Sequence, residues 1–278
     1  MFTEVIDNLM ATAEENNRVN EGDYYDEKGL LYCGKCRTPK QVEVTILGQV
    51  RKPYCVCECE KERQENEEEE RKEVKRQQKI REMRKRCFND EAMHGWTFAN
   101  DDKANEKVTQ VMQNYVDNFP KFKEQGKGLL LYGRCGTGKT YAACEVANAL
   151  IDKGYSVLVT NFARVLNTLQ ATHERQDYID EINSNSLLIL DDLGIERDTA
   201  YAREQVYNII DARYRAGKPM IITTNLTMEK IKATQDIDNM RIYDRILERC
   251  FPIEMNGENK RRKAVRETYD DMKSLLGL

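Results

Sequence analysis

The apolar positions of the chain fall into three regimes. Between Glu60 and Arg86 the only sizeable apolar residues are Val74, Ile80 and Met83 in an otherwise charged run, acidic first (Glu67 to Glu70) and basic later (Arg81, Arg84, Lys85, Arg86). That order suits a helix, because carboxylates then sit at the positive end of its dipole and cations at the negative end. Pairs such as Glu67/Arg71 and Glu68/Lys72 are i,i+4 neighbours, worth about 0.2–0.5 kcal/mol each. With so few apolar residues the run has no face to bury, and it reads as a solvated helical linker over residues 61–90 rather than a nucleic-acid patch.

Beyond residue 87 the texture is globular. Five short apolar runs, Gly128–Tyr132, Val157–Thr160, Leu187–Asp191, Met220–Thr224 and Phe251–Met255, leave room for helices between them. Runs uninterrupted by polar residues are what strands of a parallel sheet look like when both faces are covered, so residues 91–278 are predicted to form an α/β domain. Upstream, Val5, Ile6, Leu9 and Met10 predict an amphipathic helix over 1–17, and residues 31–59 alternate in β fashion between two cysteine groups. Residues 1–60 therefore read as a small module of their own.

Composition sharpens this division. At 278 residues and 40% apolar content the chain has enough for one moderate core plus an appendage. No run reaches the ~18 apolar residues of a membrane span and the N-terminus lacks a secretory pattern, so a cytoplasmic protein without a membrane partner is expected. The net charge of −4 excludes a generally cationic coat and leaves only local basic patches.

Five of the nine cysteines lie between positions 33 and 59. In a reducing compartment such packing favours a metal cluster over disulfides. In CGKC the two residues between Cys33 and Cys36 let both thiolates reach one tetrahedral zinc at ~2.3 Å. CVCEC then offers Cys55, Cys57 and Cys59 where two are needed, and spacing does not choose between them. Zinc would hold a hairpin too small to fold on its own core. A redox role fits poorly, since no helix N-terminus is predicted behind CGKC to depress a thiol pKa.

Directly after the first strand of the α/β region comes GRCGTGKT, residues 133–140, which matches G-x-x-x-x-G-K-[ST] at every fixed position. Gly133, Gly136 and Gly138 let the loop curl so that backbone N–H groups, including those of Arg134, Cys135, Thr137 and Tyr141, converge on phosphate oxygens. Lys139 then reaches the β- and γ-phosphates of ATP, and the Thr140 hydroxyl binds Mg²⁺. A phosphate loop needs a carboxylate at a neighbouring strand end, and LLILDDLG supplies two: Asp191 for the Mg²⁺ shell and Asp192 to orient and deprotonate a water. MIITTNL delivers Asn225 to the same edge. DRILERC places Arg245 and Arg249 on one helical face, and NKRRK clusters four cations after the last strand. Phosphoryl transfer commonly recruits an arginine across a subunit boundary, which would require a homo-oligomer.

The order GRCGTGKT, LLILDDLG, TTN, R-x-x-x-R helix, strand and basic cluster resembles the DnaC/DnaI-type helicase loaders and the related IstB-like transposition ATPases, a branch of the AAA+ superfamily, over roughly residues 95–265. The resemblance implies an AAA+ P-loop fold with a five-stranded parallel sheet of strand order 5-1-4-3-2 and no full C-terminal lid. It implies that Lys139 and Thr140 are the Walker A pair, Asp191 and Asp192 Walker B, Asn225 sensor I, Arg245 the arginine finger, and Arg261 or Arg262 sensor II. It further implies that the 1–60 module engages a hexameric DnaB-type helicase, which the protein loads onto single-stranded DNA, with ATP setting a homo-oligomeric, DNA-gripping state and hydrolysis controlling release. The segment after the second strand lies where this branch faces the DNA, which makes Arg164, His173 and Arg175 candidate contacts. One departure is Asp192, where most AAA+ ATPases have Glu; the shorter acid implies slow or partner-gated hydrolysis. Competing readings are an IstB-like ATPase serving a transposase, a P-loop kinase of a small molecule, and a zinc-bearing adaptor with a vestigial nucleotide site.

Overall fold

The computed structural model describes residues 19–46, 48–194, 199–257 and 259–276. The helix expected over 1–17 lies outside the described residues. The chain divides into two compact units, Met1–Gln77 and Gln78–Leu278, each taken by itself below.

The first unit carries two short antiparallel ribbons, β1 (Tyr24–Tyr25) with β2 (Leu31–Tyr32) and β3 (Val44–Ile46) with β4 (Gln49–Arg51). Its described residues bury little: Leu31, Cys33, Lys40 and Cys57. Lys40 is tolerated inside because Asp23 Oδ2 lies 2.6 Å from its Nζ, and the Asp23 carboxylate also accepts from the backbone N–H groups of Asn20 and Gly34. The ribbons end at helix α1 (Glu58–Cys87), the charged run, where Lys72 pairs with Glu68 at 2.6 Å and Glu67 with Arg63 at 3.2 Å. Both pairs are exposed and contribute little beyond helix propensity. The linker is less solvated at its end than its composition predicts. Ile80 and Cys87 are buried in the core of the second unit and Met83 packs beside them, because i, i+3 and i+7 fall on one helical face.

In the second unit a five-stranded sheet carries β5 (Gly128–Tyr132), β6 (Val157–Asn161), β7 (Leu187–Leu193), β8 (Met220–Thr224) and β9 (Cys250–Glu254). Every pairing is parallel, in the order β6-β7-β8-β5-β9, which is the 5-1-4-3-2 arrangement expected from the resemblance. Alternation along each strand feeds two cores. Leu129, Leu131, Leu187, Ile189 and Ile221 face one side, with α2 (Glu106–Asp117), α3 (Phe119–Gln125) and α4 (Lys139–Asp152). Leu130, Leu188, Leu190, Met220 and Ile222 face the other, against α5 (Phe162–Ala171), α6 (Arg175–Ser184), α7 (Ala200–Arg215) and α9 (Ile237–Arg249), with the short α8 (Met228–Ala233) preceding α9. The four strands β5 to β8 are apolar over their buried stretches because helices cover both faces, whereas the edge strand β9 leaves Phe251 71% exposed.

On the second face Arg213 is fully buried and donates to the carbonyls of Pro219, Asn183, Asn185 and Ser186, tying the loop before β7 to the loop before β8. After β9 a single helix, α10 (Lys260–Leu276), follows, so the described residues carry no multi-helix lid. No helix among the described residues is long and apolar enough to cross a membrane.

Candidate functional site

The C-terminal ends of β5, β7 and β8 are neighbours in the sheet, so their following loops converge. The loop after β5 needs unusual backbone angles. Gly136 has φ +83° and a Cβ there would lie 2.1 Å from Asn259 Oδ1, while Gly138, at φ +90°, turns the chain into α4. Lys139 opens that helix and its buried ammonium donates to the carbonyls of Gly133 (3.0 Å) and Arg134 (2.9 Å) and to Asn225 Oδ1 (2.8 Å). Loop carbonyls and the end of β8 thus hold the ammonium where phosphate oxygens would compete for it.

Thr140 donates to both oxygens of Asp191, at 2.9 and 3.2 Å. A residue not singled out from the sequence, Thr223, completes the arrangement: its hydroxyl donates to Asp191 Oδ1 (2.6 Å) and accepts from the Asp192 N–H (2.9 Å). Only the run TTN hinted at it, since its first threonine is buried in β8. Burial pushes the Asp191 carboxyl up from the usual carboxylate range, and the Asp192 charge adds to this; the hydrogen bonds from Thr223 and Thr140 oppose it without reversing it. A cation at this carboxylate would relieve that burial.

Asp192 sits where β7 slips register against β8 between Leu190 and Leu193, with φ +61°. The left-handed region tolerates Asp and Asn better than longer side chains, so the bulge supplies a local reason for a short acid at this position. Asp192, Lys139, Thr140, Asn225, Cys135, Gly136, Gly138 and Tyr141 line one cavity of about 340 Å³, with Trp96, Asp101, Asp102 and Lys260 on its other walls. Trp96 stacks on Tyr141 at 5.5 Å between ring centroids.

The arginines are placed differently. Arg245 does not line this cavity. It forms an ion pair with Asp211 at 2.7 Å, out of hydrogen-bond line, and its guanidinium lies over Tyr207 (4.5 Å) and Tyr214 (5.7 Å). Arg249 lies over the same Tyr214 at 4.6 Å, so the two do share a helical face, directed at α7. The side chain of Arg261 lies outside the described residues, and that of Arg262 is exposed. Among the described side chains of the basic cluster, Lys260 reaches the cavity, paired with Asp102 at 2.7 Å. Arg164, His173 and Arg175 are exposed around α5 and the start of α6.

In the first unit the Sγ atoms of Cys33, Cys36, Cys57 and Cys59 lie within 4.8 Å of one another. The Cys33–Cys59 and Cys57–Cys59 separations are both 3.6 Å, close to the ~3.8 Å edge of a tetrahedron with ~2.3 Å arms. Cys55 is the thiol left out; its Sγ donates instead to the Pro39 carbonyl at 3.3 Å. The Thr38 hydroxyl leads the interactions that draw Cys36 down to about 5, while the sulphurs of Cys33 and Cys57 push Cys59 up to about 12. Four thiols at these separations form a donor set that one soft cation could join in tetrahedral coordination.

The chain is 27% identical over 206 residues to the replicative helicase loader DnaI of Bacillus subtilis, covering 69% of this chain and 66% of that protein. It is 24% identical over 144 residues to the replicative helicase loader DnaC of Escherichia coli K12, covering 49% and 56%. The matched region thus spans less than two thirds of either relative's length. A crystal structure of DnaI superposes with TM-score 0.52 at 25% identity, covering 62% of this chain and 94% of that one. The family described as IstB-like ATP binding protein matches residues 61–268, three quarters of the chain and all of the nucleotide cavity's lining, and the chain belongs to that family.

Proposed function

We propose that this protein is an ATP-dependent loader that places a hexameric DnaB-type helicase on single-stranded DNA, with hydrolysis controlling its release. The observation that carries the reading is the convergence of Lys139, Thr140, Asp191 and Asn225 at three adjacent strand ends, in a chain whose relatives include two replicative helicase loaders. Lys139 exchanges its loop carbonyls for the β- and γ-phosphates of ATP, and this exchange frees Asn225 to hold a water. Thr140 and Asp191 would hold magnesium, which when bound neutralises charge developing on the phosphate oxygens. Asp192 takes the proton of the attacking water, and the Thr223 bridge keeps Asp192 in register with Asp191. Arg245, braced by Asp211 and two tyrosine rings, is presented to a second copy of the chain as the finger that completes its neighbour's site. Cys33, Cys36, Cys57 and Cys59 would hold structural zinc, and the 1–60 module they shape engages the helicase. The linker 61–90 joins it to the ATPase domain 91–278.

A pull-down of replicative helicase with the full chain, with and without ATP, tests this reading. Capture should be lost in a Cys36→Ser/Cys59→Ser variant that still binds ATP. Failure of the unaltered chain to capture helicase in either condition would transfer the assignment to transposase assistance, the other activity associated with the IstB-like family.

A further inference from the structure

One turn beyond Tyr141, α4 carries a side chain that neither phosphate binding nor packing explains. Glu145 is only 2% exposed, yet its Oε1 has no hydrogen-bond partner. Its neighbours along the helix, Ala142, Cys144 and Val146, are core residues. A buried carboxyl oxygen left without a partner is costly and calls for a ligand to satisfy it.

Glu145 lines a second cavity, of about 270 Å³, which continues from the phosphate cavity. The two share Asp101, Asp102, Gly138, Tyr141 and Lys260, and the second is walled further by Asn105 and Met255. The charged groups that face Glu145 are Asp101 and Asp102 from the segment before α2 and Lys260 from the first turn of α10. Tyr141, titratable but neutral, faces it from α4 itself. Burial pushes the Glu145 carboxyl up to about 8; Asp101 and Asp102 act in the same sense and Lys260 against it. Near neutral pH it is therefore mostly an uncharged acid, with an O–H donor beside a carbonyl acceptor.

That pair of groups matches one purine and not the other. Adenine presents its N1 acceptor beside the 6-amino donor, whereas guanine presents an N1–H donor beside the O6 acceptor. We propose that Glu145 is the base-reading residue of the nucleotide site, donating to N1 and accepting from the 6-amino group of adenine in the cavity beyond Tyr141. The proposal rests on the nucleotide-binding reading of the phosphate loop and adds to it the selection of adenine over guanine.

Displacement of a ribose-labelled fluorescent ADP from the full-length chain by ATP, GTP or purine riboside triphosphate, which lacks the 6-amino group, tests it. Because a site built to hydrogen-bond a group rejects analogues that cannot match it, the unaltered chain should favour ATP over GTP and over the analogue by about 100-fold or more at about pH 7. Glu145→Ala should bring ATP and GTP to within about threefold of each other, while Lys139→Ala weakens both together, because the first change touches the base and the second the phosphates. Glu145→Gln, whose amide can turn to match either purine, should keep ATP affinity and gain GTP, and it carries the test if the alanine variant fails to fold. Raising the pH from about 6.5 to about 8.5, below the range in which guanine N1–H ionises, ionises much of Glu145, so the ATP preference should fall in the unaltered chain and stay level in the glutamine variant. An ATP:GTP ratio unchanged in both variants, with nucleotide still bound, would overturn the base-reading role alone. Absence of nucleotide binding by the unaltered chain would overturn the phosphate-loop reading and this proposal with it.

Discussion

The two candidate sites are built on opposite principles. The nucleotide site hangs from strand ends of a sheet with a full apolar core on each face, so its residues are placed by packing that exists with or without a ligand. Among the described residues of the first unit, the buried side chains are Leu31, Lys40 and two of the clustered cysteines. There the site is itself the core, and whatever it binds must do much of the folding. The comparison teaches that loss of a ligand should silence one unit and unfold the other.

Chelation is the harshest test of that contrast. Structural zinc carries apparent binding energies of about 10–16 kcal/mol in small domains, so removing it should collapse the first unit altogether. Amide dispersion of Tyr24 to Tyr54 should disappear while the melting transition of the second unit stays within about 2 °C. A first unit that stays folded without metal would erase the distinction.

Acidity should pull the two units apart in opposite directions. Glu145, pushed up to about 8, and Asp191, raised by burial, hold protons in the folded state that the unfolded chain gives up near pH 4. Between about pH 4.3 and about 8 the folded second unit binds more protons than the unfolded chain, so its stability falls as the pH rises through that window and levels off above it. Thiolates that hold a metal would work the other way, since acidification protonates them and releases it. Melting curves over that range should therefore show the second unit weakening upward and the first weakening downward, and Glu145→Gln should flatten much of the first of these slopes. Parallel pH profiles for the two units would count against the contrast.

The smallest effect probes strain within the rigid site. Asp192→Glu should lengthen the reach to the attacking water and raise turnover, yet the left-handed backbone at this position disfavours the longer side chain by about 1 kcal/mol. Turnover and melting temperature should thus move in opposite directions. An unchanged or lower rate would show that the length of this acid does not limit hydrolysis.

Much of this was legible beforehand where the chemistry is local in the chain. GRCGTGKT, CGKC and the acid pair ending LLILDDLG each bring their groups together within a few residues, and short apolar runs recurring with helix-sized spacings point to strands of a covered sheet. The partial burial of the charged helix was less legible, because Ile80, Met83 and Cys87 form a face only over its last two turns.

The sequence by itself determined the phosphate loop, the strands that carry it and the presence of a thiol cluster, because spacing along one segment is enough to define each. Only the tertiary structure decided that Cys55 is the thiol left out, that Thr223 couples the two aspartates, that Arg245 is held by Asp211, and that Glu145 ends buried beside a cavity. Each of those outcomes depends on groups from distant segments meeting across a fold, or on which groups a fold shuts away from water, and no local periodicity encodes either.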